Sequence, residues 1–122
     1  MLLALAVALA AGVGAALRYV VDQVVRGTHV LDFPFGTLAV NATGSLLLGL
    51  VTGLSLHHGL AADPTVVLSA GFAGGYTTLS TWAWESVALL ENGAPVKSLL
   101  NAVGTLAVCL ATAALGLGLA AL

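Results

Sequence analysis

Charge is what this sequence has least of: 7% of its 122 residues are Asp, Glu, Lys or Arg, against about 25% in soluble domains. With 60% hydrophobic residues and a mean hydropathy of +1.11, too few polar groups remain to cover a monomer in water, and lipid is the expected solvent. The basic residues Arg18, Arg26 and Lys97 form no patch, so nucleic acid is not an expected partner. A single cysteine, Cys109, excludes an intrachain disulfide and a zinc site built on several thiolates. It is read as a small packing residue. No nucleophile–base–acid set and no phosphate-binding loop is present, which argues against an enzyme. Gly12-x-Gly14 lacks the strand and third glycine of a dinucleotide fingerprint. His29, His57 and His58 have no metal-ligand spacing with other candidates and read as interfacial. The stretch from Met1 to Leu17 lacks the basic start of a signal peptide and reads as a first helix.

What the chain does have is long apolar runs. They predict an all-α membrane protein with one domain over residues 1–122 and four transmembrane helices at about 2–25, 35–56, 65–90 and 96–121. Each is near the ~20 residues that cross ~30 Å of hydrocarbon. Pro34 suits a helix start after a connection from Thr28, His57-His58-Gly59 and Asp63-Pro64 bracket the second loop, and Glu91 to Pro95 forms the third. Both termini then lie on one side, opposite Arg26 and Lys97. So small a bias permits insertion in both orientations.

Polar residues inside the spans must face protein or water. On the second helix Thr37, Asn41 and Ser45 share a face that continues into Gly49-x-x-x-Gly53; on the fourth, Asn101, Thr105, Cys109 and Thr112 do the same. Helix–helix glue is one reading and a polar pathway the other. The third span carries Gly71, Gly74 and Gly75 followed by Thr77, Thr78, Ser80 and Thr81, a run ill-suited to a continuous helix. A break near the bilayer midplane is expected there, exposing backbone groups of the kind that build ion sites. Arg18 has three readings, a pair with Asp22, a pair with a helix end, or an anion-attracting vestibule; Glu85 is read as a proton carrier or a hydrogen-bonded interfacial group.

Three motifs, in order, resemble the CrcB/Fluc family of fluoride ion channels over nearly the whole chain. They are Gly14-Ala15-x-x-Arg18-Tyr19, then Pro34-x-Gly36-Thr37-Leu38-x-Val40-Asn41-x-x-Gly44-Ser45, then Gly71-Phe72-x-Gly74-Gly75-x-Thr77-Thr78-x-Ser80-Thr81-x-x-x-Glu85. The resemblance implies an antiparallel, dual-topology dimer in the cell (cytoplasmic) membrane that exports fluoride passively through two pores near the subunit interface. The partner would be a second copy or a paralogous subunit in opposite orientation. A structural sodium ion (Na+) is implied at the dimer centre, held by backbone carbonyls that match Gly74 and Thr77. Asn41 matches the pore asparagine, with Thr37 on its face and the hydroxyls of Ser80 and Thr81 beside the path. Thr105 stands where the family has a fourth-helix serine, while Arg18 and Glu85 match the family's charged positions.

One departure concerns the aromatic edges lining the path. Leu79 and Trp82 occupy the positions of two family phenylalanines; leucine has no electropositive edge, whereas Trp82 offers an edge or its indole N–H. The rival functions are a small proton-coupled multidrug exporter and a non-conducting structural subunit. The exporter needs a carboxylate within the first helix, which has none before Asp22.

Overall fold

The apolar runs fold as helices because only a helix satisfies every backbone group without water. A computed structural model describes residues 1–28 and 33–122. The expected connection around His29 lies partly outside the described residues. Helix α1 spans Leu2–Thr28 and α2 spans Phe35–His58. The third segment is two helices, α3 over residues 62–76 and α4 over Leu79–Glu91. Helix α5 covers Pro95–Leu119. Among the described residues three helices are long and apolar enough to cross a membrane: Leu2–Gly27, Phe35–His58 and Pro95–Leu119.

The boundaries follow local chemistry. Pro34 stands at the N-cap of α2 and Pro95 in the first turn of α5, where a missing N–H costs nothing. Helix α3 begins three residues before the expected start because Pro64 also fits a first turn. Gly59 ends α2 at φ 66° and Gly93 turns the chain after α4 at φ 74°, both in the left-handed region that favours glycine.

Two π-helical segments, Val67–Ala73 within α3 and Leu100–Gly104 within α5, widen their helices. The helical path is interrupted over only two residues, Thr77 (ψ 162°) and Thr78 (φ −145°, ψ 120°). Gly74 to Tyr76 on one side and Ser80 and Thr81 on the other remain helical, so the expected interruption over 74–81 narrows to its centre. The glycines bring helices together instead. A Cβ on Gly75 would collide with the Ala11 carbonyl, and one on Gly14 with the Phe72 carbonyl, so α1 and α3 touch backbone to backbone. Gly49 and Gly116 do the same between α2 and α5.

Burial is inverted relative to a soluble domain. Thr37, Asn41, Thr78, Glu85, Asn101 and Thr105 are buried, while leucines and valines along α1 and α5 are exposed. Polar groups meet inside and apolar surface faces outward, the arrangement that lipid selects.

Candidate ion pathway at the helix break

Asn41 makes the break possible. Its Nδ2 donates to the Thr78 carbonyl at 2.9 Å, and its Oδ1 accepts from the Thr78 N–H at 2.8 Å. The carboxamide thus pairs with one residue as a neighbouring strand would. In an unbroken helix the Thr78 N–H would bond the Gly74 carbonyl; Asn41 takes it, and Gly74 loses its helical donor. Thr78 in turn caps α4, its Oγ1 accepting from the Thr81 N–H at 3.2 Å and donating to Thr81 Oγ1 at 2.9 Å.

A cavity of about 300 Å³ opens against this junction. It brings together Asn41, Gly74, Thr77, Leu79, Trp82 and Thr105 from three segments of the chain, with Ser45 and Cys109 further along the wall. Arg18, Thr37 and Thr81 lie instead on a neighbouring cavity of about 180 Å³ behind Thr78. Glu85 lines a third, of about 390 Å³, with Arg26 and Trp84. Ser80 is exposed beside the break and lines none of the three, its Oγ 3.4 Å from Thr78 Oγ1. Leu79 is 74% exposed at the rim.

Arg18 does not pair with Asp22. It takes the helix end, Nη1 donating to the Thr77 carbonyl at 3.2 Å, where a cation meets the negative end of α3. Asp22 pairs with Arg26 (2.8 Å), which also reaches Glu85 (3.0 Å). One arginine therefore serves two carboxylates, and among the described residues Asp22 Oδ1 and Glu85 Oε2 are buried with no partner in hydrogen-bonding geometry. Thr37 faces the same Glu85 carboxyl.

The open choice at Trp82 is resolved against the indole donor. Its Nε1–H donates to the Asn101 carbonyl at 2.9 Å, so that donor is already taken while the residue lines the cavity. Asn101 was legible in sequence only as part of a stripe. It is fully buried, its Nδ2 donating to Ser86 Oγ (2.9 Å) and to the Trp82 carbonyl (3.4 Å), its Oδ1 accepting from Thr105 Oγ1 (3.3 Å). A buried amide in an apolar helix must find such partners, and that was the available signal.

A sodium ion at the break is tested by the same geometry. The Gly74 carbonyl, deprived of its helical donor at a half-helix C-terminus, suits a hard cation. Thr77 suits it less well, because its carbonyl already accepts from a guanidinium and only a second lone pair is left. No group of three or more His, Cys, Asp or Glu among the described residues forms a metal cluster, so backbone oxygens are the donors on offer.

The family model described as CrcB-like protein, Camphor Resistance (CrcB), matches residues 5–117. The chain belongs to the CrcB family. Among its relatives is the fluoride-specific ion channel FluC 1 of Leifsonia xyli, 47% identical over 121 residues, covering 99% of this chain and 88% of that protein. The fluoride-specific ion channel FluC of Thermus thermophilus is 43% identical over 112 residues, covering 92% and 90%. FluC 2 of Mycobacterium tuberculosis is 42% identical over 110 residues, covering 90% and 84%. With its apolar helices, this CrcB-family chain is a multi-pass membrane protein, and its named relatives are channels and not enzymes.

Proposed function

We propose that this chain forms a fluoride-selective channel that lowers cytoplasmic fluoride by passive export across the cell membrane. In this reading α3 and α4 together make a fourth crossing broken near the midplane, and two oppositely oriented subunits, identical or paralogous, assemble as a dimer with two pores. The observation that carries the reading is the Asn41–Thr78 pair on the wall of the 300 Å³ cavity.

Fluoride is small and strongly hydrated, so a pore must replace its water with donors yet release it again. Asn41 spends one amide hydrogen on Thr78, and the other remains for an anion. Beside it, α4 begins with N–H groups at the positive end of its dipole, only one of which is taken by the Thr78 cap. The carbonyl end of α3 has the opposite polarity. Arg18 offsets it at Thr77, and a structural sodium ion shared between the Gly74 and Thr77 carbonyls of both subunits would offset it further. An ion held there would supply fixed positive charge. The exposed Leu79 lies where an opposing subunit would complete the cavity wall.

The proton-coupled exporter finds less support, since the only carboxylate of α1, Asp22, sits near its end and is bound by Arg26. Purified protein in liposomes tests the proposal: fluoride efflux is expected under conditions where chloride is retained. Absence of fluoride flux, both from the chain alone and after co-reconstitution with a paralogous subunit from the same genome, refutes it.

A further inference from the structure

We infer that Asn101 is a positioning residue, which fixes the Trp82 ring on the cavity wall and holds two donors of that wall, the Trp82 indole N–H and the Thr105 hydroxyl, away from a passing ion. The second half rests on the fluoride reading above; the first does not.

The argument starts from the π-helical segment Leu100–Gly104. A π turn disturbs the regular i→i−4 ladder and lets a carbonyl accept from outside the helix. Asn101 stands in that segment, fully buried, and its carbonyl accepts the Trp82 indole N–H at 2.9 Å. Its side chain grips the same residue from the other end. Nδ2 reaches the Trp82 carbonyl at 3.4 Å and Ser86 Oγ at 2.9 Å, while Ser86 Oγ donates to the Trp82 carbonyl at 2.8 Å. Trp82 is therefore held at both its indole and its main chain by one residue of α5. A phenylalanine at this place could not be tethered so, having no N–H.

Asn101 also accepts from Thr105 Oγ1, a second group on the cavity wall. The indole N–H and the Thr105 hydroxyl are two donors of a wall that also carries Asn41 and the hydroxyls of Ser45, Ser69, Thr77 and Thr78. With both directed at Asn101, the Trp82 side of the wall offers carbon edges of the ring, which attract an anion weakly. A site that must release its ion gains from weak walls, since conduction requires binding loose enough to leave.

The test uses the Trp84→Phe protein, in which Trp82 is the single tryptophan, in liposomes, with and without Asn101→Ala. Asn101→Ala keeps the main-chain carbonyl that accepts the indole N–H but removes the side-chain bonds that dock this turn of α5 on Trp82 and Ser86. The carbonyl is then expected to drift from the indole, lowering the Trp82 fluorescence anisotropy and raising its quenching by acrylamide. The fluoride concentration giving half-maximal flux falls severalfold, and the maximal flux falls about tenfold, the ratio set by one net hydrogen bond. With Trp82→Phe as the second change, Asn101→Ala has a smaller effect than it has alone. Unchanged anisotropy and quenching overturn the positioning role, and multiplicative losses in the double variant overturn its action through Trp82. Should Asn101→Ala fail to give monodisperse protein, Ser86→Ala removes the acceptor of the Asn101 amide and carries the same readouts with the same expected directions. The fluorescence arm needs no transport, so a protein that passes no fluoride refutes the channel reading while the positioning role is still decided.

Discussion

Replacing Asn41 attacks the break at the cross-helix support of Thr78. The side chain supplies a donor to the Thr78 carbonyl and an acceptor to the Thr78 N–H, and Thr78 is buried. Asn41→Leu keeps the branching of the side chain and removes both partners. Each buried unpaired group costs about 1–3 kcal/mol, giving a loss of about 2–6 kcal/mol, a large part of the ~5–15 kcal/mol that holds a domain folded. Asn41→Asp separates the two bonds. As a carboxylate it still accepts from the N–H but sets a charged oxygen against the Thr78 carbonyl; as a neutral acid it donates through its own O–H and restores both. Stability and fluoride efflux of Asn41→Asp therefore rise as the pH is lowered, whereas Asn41→Leu stays low at every pH. Thermal unfolding in detergent and efflux from liposomes read the two effects. An Asn41→Leu protein within about 0.5 kcal/mol of wild type, the range of an inconsequential surface change, would refute the reasoning.

Gly75→Ala drives a Cβ into the Ala11 carbonyl, where neither backbone can yield, and is expected to destabilise by about 1–3 kcal/mol in thermal melts. Gly12→Ala, with nothing within 4 Å of the added carbon, is neutral or stabilising by up to ~1 kcal/mol; equal effects at the two sites would contradict the packing account. Arg26→Gln strips the counter-charge from Asp22 and the buried Glu85. Because Arg26 is 53% exposed the loss is about 1–2 kcal/mol, and a double-mutant cycle should show Glu85→Gln recovering part of it. Arg18→Gln removes a cation from the Thr77 carbonyl, so if sodium binds there, half-maximal thermal protection should occur at lower sodium than in wild type. An unchanged sodium titration would detach Thr77 from the ion.

The long helices were legible because length and hydropathy alone decide which segments cross hydrocarbon. The break was legible too, but for a reason only half correct. Gly71, Gly74 and Gly75 weaken a helix by propensity, yet all three stay helical, and Gly75 instead admits the α1 backbone. The chain leaves the helix at Thr77 and Thr78, where a carboxamide from another helix competes for backbone groups. Nothing in residues 74–81 reports that competitor. Nor does any local pattern announce the π turns over Val67–Ala73 and Leu100–Gly104.

The candidate site divides along the same line. Asn41, Gly74, Thr77, Leu79, Trp82 and Thr105 could be chosen by residue type and motif, and they share one cavity. Their bonding could not be chosen. A donor on a pore wall serves an ion only if no protein acceptor takes it first, and the acceptor for the Trp82 N–H is a main-chain carbonyl that every residue possesses. Its availability depends on helix register, so no side chain in the sequence marks it. Tryptophan in place of phenylalanine would add a strong donor to an anion path; the same substitution on a helix facing a π turn adds a tether instead. The Trp82 departure therefore cannot be judged from position 82 alone. Its meaning is set 19 residues away, at Asn101.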